Sequence, residues 1–228
     1  MIFCMIDPEP LWLTAKLALI TTLILFILSV PLAYWLAYTK AKGKTIIEAI
    51  VSMPLVLPPS VLGFYLLLAF SPSRSFGKFL ENYFDVRLVF SFTGLVIASI
   101  IYSLPFMVHP IQSGFAGLSP SLREASYTLG KSKWHTIARI LLPNMRSSLL
   151  TGIVLTFAHT IGEFGIVLMI GGNIPGETKV ASIAIYDEVE MMNYHNANAY
   201  ALILFIITFI ILLTVYFLNQ RFSRSSYL

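Results

Sequence analysis

His159 and Glu163 stand four residues apart inside an apolar run, Leu149 to Ile170. An ionisable side chain near a bilayer centre costs about 2.5 to 3.5 kcal/mol on insertion scales, so both should face protein or water rather than lipid. On a continuous helix their spacing puts them on one face. Two roles are open: lining a polar path or dimer axis, or pairing with each other to orient neighbouring helices. A second feature is the cluster Pro54, Pro58 and Pro59, followed by Ser60. Each proline removes a backbone donor and clashes with the preceding turn, so the run should break near mid-membrane, with its freed carbonyls turned to protein or water. Pro58, Pro59 and Ser60 are therefore candidates for a gate hinge, against a static bend. Pro105, His109 and Pro110 repeat the theme more weakly, His109 reading as a packing residue. Asn173, in the turn-rich segment Gly171 to Glu177, completes the set of candidate pathway residues.

None of these groups completes a catalytic constellation. The sequence holds no H-E-x-x-H, no G-x-S-x-G and no paired aspartates on adjacent apolar runs. It also lacks G-x4-G-K-[ST], so nucleotide chemistry would have to come from a partner. A single cysteine, Cys4, excludes an intrachain disulfide and a cysteine-based metal cluster, and no bound cofactor is expected.

The elements that position these residues follow from composition. The chain has 228 residues, 57% hydrophobic and only 11% charged, far below the roughly 25% charged of soluble domains. At about 20 apolar residues per crossing, five stretches are long enough to span a bilayer: residues 12–38, 47–70, 89–111, 147–171 and 197–218. The expectation is an all-α membrane protein of about five transmembrane helices, residues 1–228 forming one membrane domain without internal repeats. The first run follows Asp7 and Glu9 and exceeds the length of a signal-peptide core, so it reads as a retained helix. The formal net charge of +4 does not point to nucleic acid, because the basic residues lie in loops beside apolar runs.

Those loops set the orientation. Lys40, Lys42 and Lys44, then Arg123, Lys131, Lys133, Arg139 and Arg146, then Arg221 and Arg224 all fall on one side, and eight of the 11 acids on the other. The positive-inside rule puts the N-terminus outside, and the loop 112–146 and the C-terminus in the cytoplasm. Residues 112–146 are too many for a simple connection. Ser119 with Pro120 offers a helix start, and Ser121 with Glu124 a competing capping box. Gly130 should end that first helix. A second should follow over Lys131 to Leu142, with Trp134, Ile137, Ala138 and Leu141 on one face, until Pro143 stops it.

The run Glu124, Ala125, Ser126, three residues, Gly130, nine residues, Ile140, one residue, Leu142, Pro143 resembles the E-A-A-x3-G-x9-I-x-L-P loop of ABC importer permeases, departing from it only at Ser126. The segments Gly162 to Asp187 and Met53 to Leu68 are similar to the permease subunits of molybdate importers. Tungstate permeases and sulfate or thiosulfate permeases are the next most similar. The resemblance implies the ABC importer permease fold and an ATPase-coupling loop carried by Ser119, Pro120, Leu122, Arg123, Glu124, Ala125, Gly130, Leu142 and Pro143. It further implies a homodimer in the lipid bilayer, two cytoplasmic ABC ATPase subunits that bind ATP and Mg, and an extracytoplasmic molybdate-binding protein. The rival classes are a non-transporting membrane receptor and an intramembrane enzyme. For a dianionic cargo a carboxylate on the path is repulsive, by about 4 kcal/mol per unit-charge pair at 4 Å and an effective dielectric of 20. Glu163 should therefore be paired, with His159 the nearest candidate, or neutralised by burial, or turned towards helix packing.

Overall fold

The computed structural model describes the backbone of residues 6–225 and the side chains of residues 6–217; Cys4 and the side chains of Arg221 and Arg224 lie outside them. The described residues form helices α1 (Glu9–Tyr38), α2 (Lys44–Val56), α3 (Pro59–Phe70), α4 (Ser75–Phe84), α5 (Phe92–Ala116), α6 (Pro120–Thr128), α7 (Lys133–Thr136), α8 (Leu142–Asn144), α9 (Arg146–Ile161), α10 (Gly165–Gly171), α11 (Ala181–Glu190) and α12 (Tyr194–Ser225), with one π-helical turn, Ile137–Leu141, between α7 and α8.

Three of these, α1, α5 and α12, are continuous helices long and apolar enough to cross a membrane. Two further helix pairs are long and apolar enough only when their halves are taken together, and both are sharply bent. The pair α2 and α3 bends by 113°, and the segment Lys133–Asn144 meets α9 at 83°. The first break falls where expected: Pro54 is accommodated inside α2, while Leu57 and Pro58 turn extended and α3 restarts at Pro59. The second expected break does not occur. Both Pro105 and Pro110 lie inside α5, which runs from Phe92 to Ala116. Packing against α1 on one side and α9 on the other holds the helix across the two missing donors. Helix α4 was not expected from the loop it occupies. Phe76, Phe79, Leu80 and Tyr83 recur at helical spacing there, a clear amphipathic pattern in a segment too short to span a membrane.

Helices α1, α5 and α9 pack on one another as the centre of the bundle. Two apolar cores form at opposite ends of that triad. One gathers Leu25, Ala33, Leu36, Met107, Ile111, Phe115 and Leu141; the other gathers Leu13, Leu17, Leu95, Ile166, Ile170 and Ile183. Between them lies a layer of small buried polar residues: Thr21, Thr22 and Ser29 on α1, Ser99 and Ser103 on α5, Thr156 and Thr160 on α9. Small side chains let membrane helices approach closely, and the Ser103 and Thr160 hydroxyls meet at 3.1 Å. Only 6% of the apolar window of α12 is buried, against 56% for α5, which makes α12 peripheral; it rests on α9 and α11.

Candidate functional site

The loop after α5 is a built element. Helix α6 starts at Pro120, as expected, but its N-terminus is capped by neither side chain: the Ser119 hydroxyl pairs with that of Ser121 at 2.7 Å, and no capping bond to Glu124 forms. The helix stops at Gly130, whose φ of 71° suits glycine. The Gly130 N–H donates to the Tyr127 carbonyl at 2.9 Å and the Lys131 N–H to that of Ser126 at 3.1 Å. Ser126, the one departure from the motif, is buried, and its hydroxyl meets that of Thr136 at 2.8 Å, tying α6 to α7. The expected apolar face of the second helix is only half there. Ile137 and Leu141 are buried, while Trp134 and Ala138 are exposed. The π turn holds more residues than an α turn, so it rotates Trp134 off the face that Leu141 buries. Leu142 and Pro143 form α8, and the chain turns at Met145 into α9.

An aromatic clamp fastens α6 to the end of α1. The Arg123 guanidinium lies 4.3 Å above the Tyr38 ring, and the Tyr34 and Tyr127 hydroxyls are 3.4 Å apart. The Tyr38 hydroxyl donates to the Phe115 carbonyl at 2.8 Å, and the Tyr34 and Phe115 rings meet edge to face at 5.4 Å. Leu122 packs on the core beneath. Arg123 is therefore a clamp residue as well as a loop residue. Tyr34, Tyr38 and Tyr127 were missed in the sequence, where only the i, i+4 spacing of the two α1 tyrosines hinted at a shared face.

His159 and Glu163 do not share one helix, which corrects the expectation for residues 147–171. Helix α9 ends at Ile161, and Glu163 lies in the three-residue break before α10. Gly162 permits that stop, its N–H bonding back to the Ala158 carbonyl at 3.2 Å. The two side chains consequently do not pair. The His159 ring stacks on Phe106 at 3.9 Å and leans on Tyr102 at 4.9 Å, both from α5. The Glu163 carboxyl is 3% exposed and lies beside the Ser99 hydroxyl, and neither of its oxygens makes a well-formed hydrogen bond among the described residues. Its backbone carbonyl accepts the Ser182 hydroxyl of α11 at 2.6 Å. Of the three alternatives left open for Glu163, pairing with His159 does not occur, and a buried carboxyl without a partner is compatible with both neutralisation by burial and helix packing.

The structure brings the two chain breaks together. A Cβ on Gly165 would lie 2.8 Å from the Pro59 Cβ, and one on Gly63 would lie 3.0 Å from the Met169 Cβ. Thus α3 and α10, each restarting after a break, pack through glycine with Pro59 at the joint, while Pro58 and Ser60 are exposed beside it. On the other half of the bundle, a groove of about 550 Å³ is lined by Glu48, Ser52, His109, Gln112 and Ser113. Gln112 donates to Glu48 at 2.7 Å, and Ser52 meets the His109 ring at 3.1 Å. His109 is bonded, but at the wall of a groove and not within the core.

Asn173 lies away from both breaks. Its backbone is left-handed, at φ 61°, and its amide donates to both oxygens of Asp187, at 2.9 and 3.0 Å. Lys179 closes on the same carboxylate at 2.6 Å. Asp187 is only 9% exposed, because it gathers the loop onto α11.

The chain matches the family described as "Binding-protein-dependent transport system inner membrane component" over residues 29–226. It is 43% identical to the molybdenum transport system permease protein ModB of Azotobacter vinelandii, over 95% of this chain and 96% of that one. It is 34% identical to the putative molybdenum transport system permease protein YvgM of Bacillus subtilis, over 93% and 92%. With the sulfate transport system permease protein CysT of Escherichia coli the identity is 31%, over 85% and 69%. Among solved structures, a bacterial ABC transporter involved in alginate import superimposes with a TM-score of 0.76 at 18% identity, covering 93% of this chain and 78% of that one. The MetNI methionine ABC transporter in an inward-facing form gives 0.71 at 16%, covering 93% and 94%. With an all-helical fold of that kind and a match over most of its length, the chain belongs to the family of binding-protein-dependent transport system inner membrane components.

Proposed function

We propose that this chain is the membrane-spanning subunit of an ATP-driven importer that carries molybdate across the cytoplasmic membrane by alternating access, with tungstate second and sulfate or thiosulfate third as substrates. The observation that supports this order most is the 43% identity to a molybdenum permease over nearly the full length of both chains, against 31% to a sulfate permease. The working unit in this reading is a homodimer, since five crossings cannot easily enclose a path and shield it from lipid. ATP and Mg are bound by partner ATPase subunits, and an extracytoplasmic molybdate-binding protein delivers the oxyanion. Helix α6 docks on the ATPase, and the clamp on Tyr34 and Tyr38 carries its displacement into α1 instead of letting a slack loop absorb it. Uptake of labelled molybdate into vesicles holding the chain with its ATPase and binding protein tests the reading. Tungstate should compete strongly and sulfate weakly; sulfate competing as well as molybdate would overturn the substrate order.

Two expected results follow for the loop and the topology. Glu124→Ala and Gly130→Pro should leave chain abundance near normal while transport per ATP falls, within the range of about 5- to 150-fold usual for coupling between sites. Gly130 holds a φ of 71°, which proline cannot adopt. Unchanged coupled transport in both variants would show that the loop does not transmit the ATPase stroke. For orientation, single cysteines replacing Ser75 and Glu188, in a background without Cys4, should react with an impermeant reagent from outside, and those replacing Lys42 and Lys131 only from the cytoplasm. Labelling of position 131 from outside would reverse the assignment.

A further inference from the structure

Beside the aromatic clamp, between the end of α1 and the start of α7, lies a groove of about 490 Å³, within the range of ordinary ligand clefts, about 300 to 1,000 Å³. One wall is apolar, with Val30, Pro31 and Ile137. Its outer rim carries Trp35, Trp134 and a single charged side chain, Lys133, and no carboxylate lines it. Trp35 is 38% exposed and Trp134 70%. Exposed indoles at the end of a membrane-spanning helix belong at the boundary between hydrocarbon and headgroups. Lys133 has no ion-pair partner among the described residues; its ammonium rests 5.4 Å over the Tyr34 ring, a contact that places the charge without neutralising it. Arg123, over Tyr38, adds a second unneutralised cation nearby. The result is an apolar slot that opens at headgroup level under a net positive rim.

We propose that this groove binds an anionic phospholipid of the cytoplasmic leaflet, its phosphate on Lys133 and the first segment of an acyl chain between Trp35 and Trp134 over Val30, Pro31 and Ile137. The leaflet rests on the orientation proposed above; the binding itself does not depend on the substrate. Charge complementarity selects this occupant, since an acidic headgroup is attracted by about 1 kcal/mol per basic residue near the surface. The lipid would brace α7 against α1 directly beside the coupling helix, which gives the coupling element a lipid-dependent support.

The test uses the chain assembled with its ATPase in nanodiscs. The sequence holds three tryptophans, so Trp12→Phe, with the tryptophans of the ATPase replaced by phenylalanine, leaves Trp35 and Trp134 as the only reporters. Brominated phosphatidylglycerol should quench them at about fivefold lower mole fraction than brominated phosphatidylcholine, the ratio that about 1 kcal/mol predicts. Lys133→Gln should abolish that preference without changing quenching by phosphatidylcholine, Lys133→Arg should keep it, and Lys78→Gln, on α4, should leave it intact. Equal quenching by both lipids, or a preference that survives Lys133→Gln, overturns the proposal. So does the absence of quenching by either lipid, which would mean that the ATPase or a second copy of the chain covers the groove. Failure of molybdate uptake would leave this measurement unaffected, so the two readings fail separately.

Discussion

Asp187→Ala should destabilise the protein by about 3 kcal/mol, the upper end of the usual loss when a buried acceptor is removed and its donors are left unsatisfied. Asp187 accepts two hydrogen bonds from Asn173, binds Lys179 at 2.6 Å, and is 9% exposed. The loop it holds is otherwise demanding. Gly172 and Asn173 are consecutive left-handed residues, at φ 65° and 61°, and left-handed backbone is disfavoured for a residue with a side chain. Thr178 ties the loop base, donating to the Gly171 carbonyl at 2.7 Å and accepting from the Ile174 N–H at 2.9 Å. Without the carboxylate, the Lys179 ammonium and the Asn173 amide lose their acceptor together. In detergent the midpoint of thermal unfolding should fall on the order of 10 °C. The double variant Lys179→Met/Asp187→Leu should fall less than Asp187→Ala, because no charge is then stranded. A midpoint within about 2 °C of the parent for Asp187→Ala would show that the cluster is a surface contact of little weight.

Gly165→Val should abolish transport while leaving the chain assembled. The Cβ at this position meets the Pro59 Cβ at 2.8 Å, and two further methyl groups have no space. Overpacking of this kind costs about 1 to 3 kcal/mol and is relieved by moving backbone. Here the backbone that yields is the joint between Pro59 and Gly165, so α10 should separate from α3. The two apolar cores at the ends of the α1, α5 and α9 triad keep most of their contacts, and the ATPase should still copurify. Gly162→Ala is the control. Its Cβ would find its nearest neighbours at 3.8 Å, an ordinary contact, and its φ of −84° suits alanine. Near-normal uptake by Gly165→Val, measured beside Gly162→Ala, would show that the two breaks do not act as one unit.

What could be read in the sequence was what depends on short-range chemistry. The five crossings follow from apolar length, the break at Pro58 and Pro59 from the missing donors, and the stop at Gly130 from the backbone freedom of glycine. Most of the misreadings needed a long-range partner. Nothing local distinguishes Pro105, which α5 carries without a break because α1 and α9 support it, from Pro58, where the helix ends. The spacing of His159 and Glu163 presumes a continuous helix, and Gly162 ends it. Nothing local separates Asp187 from the neighbouring acids Glu188 and Glu190; Asn173 and Lys179 fold onto it from the preceding loop. The aromatic clamp joins Tyr34 to Tyr127 across 93 positions of sequence, a separation that no periodicity reports.

The two indoles of α1 also define a length. Trp12 and Trp35, both exposed near opposite ends of the helix, are about 34 Å apart along its axis at 1.5 Å per residue, whereas a typical hydrocarbon layer is about 30 Å thick. If both rings rest at the interfaces, α1 leans about 30° from the bilayer normal, inside the usual range of about 0 to 40°. A thinner membrane makes it lean further and a thicker one draws it upright. Because Tyr34 and Tyr38 on that same helix hold α6, a change of inclination is passed to α6, and acyl-chain length becomes a mechanical input to the clamp.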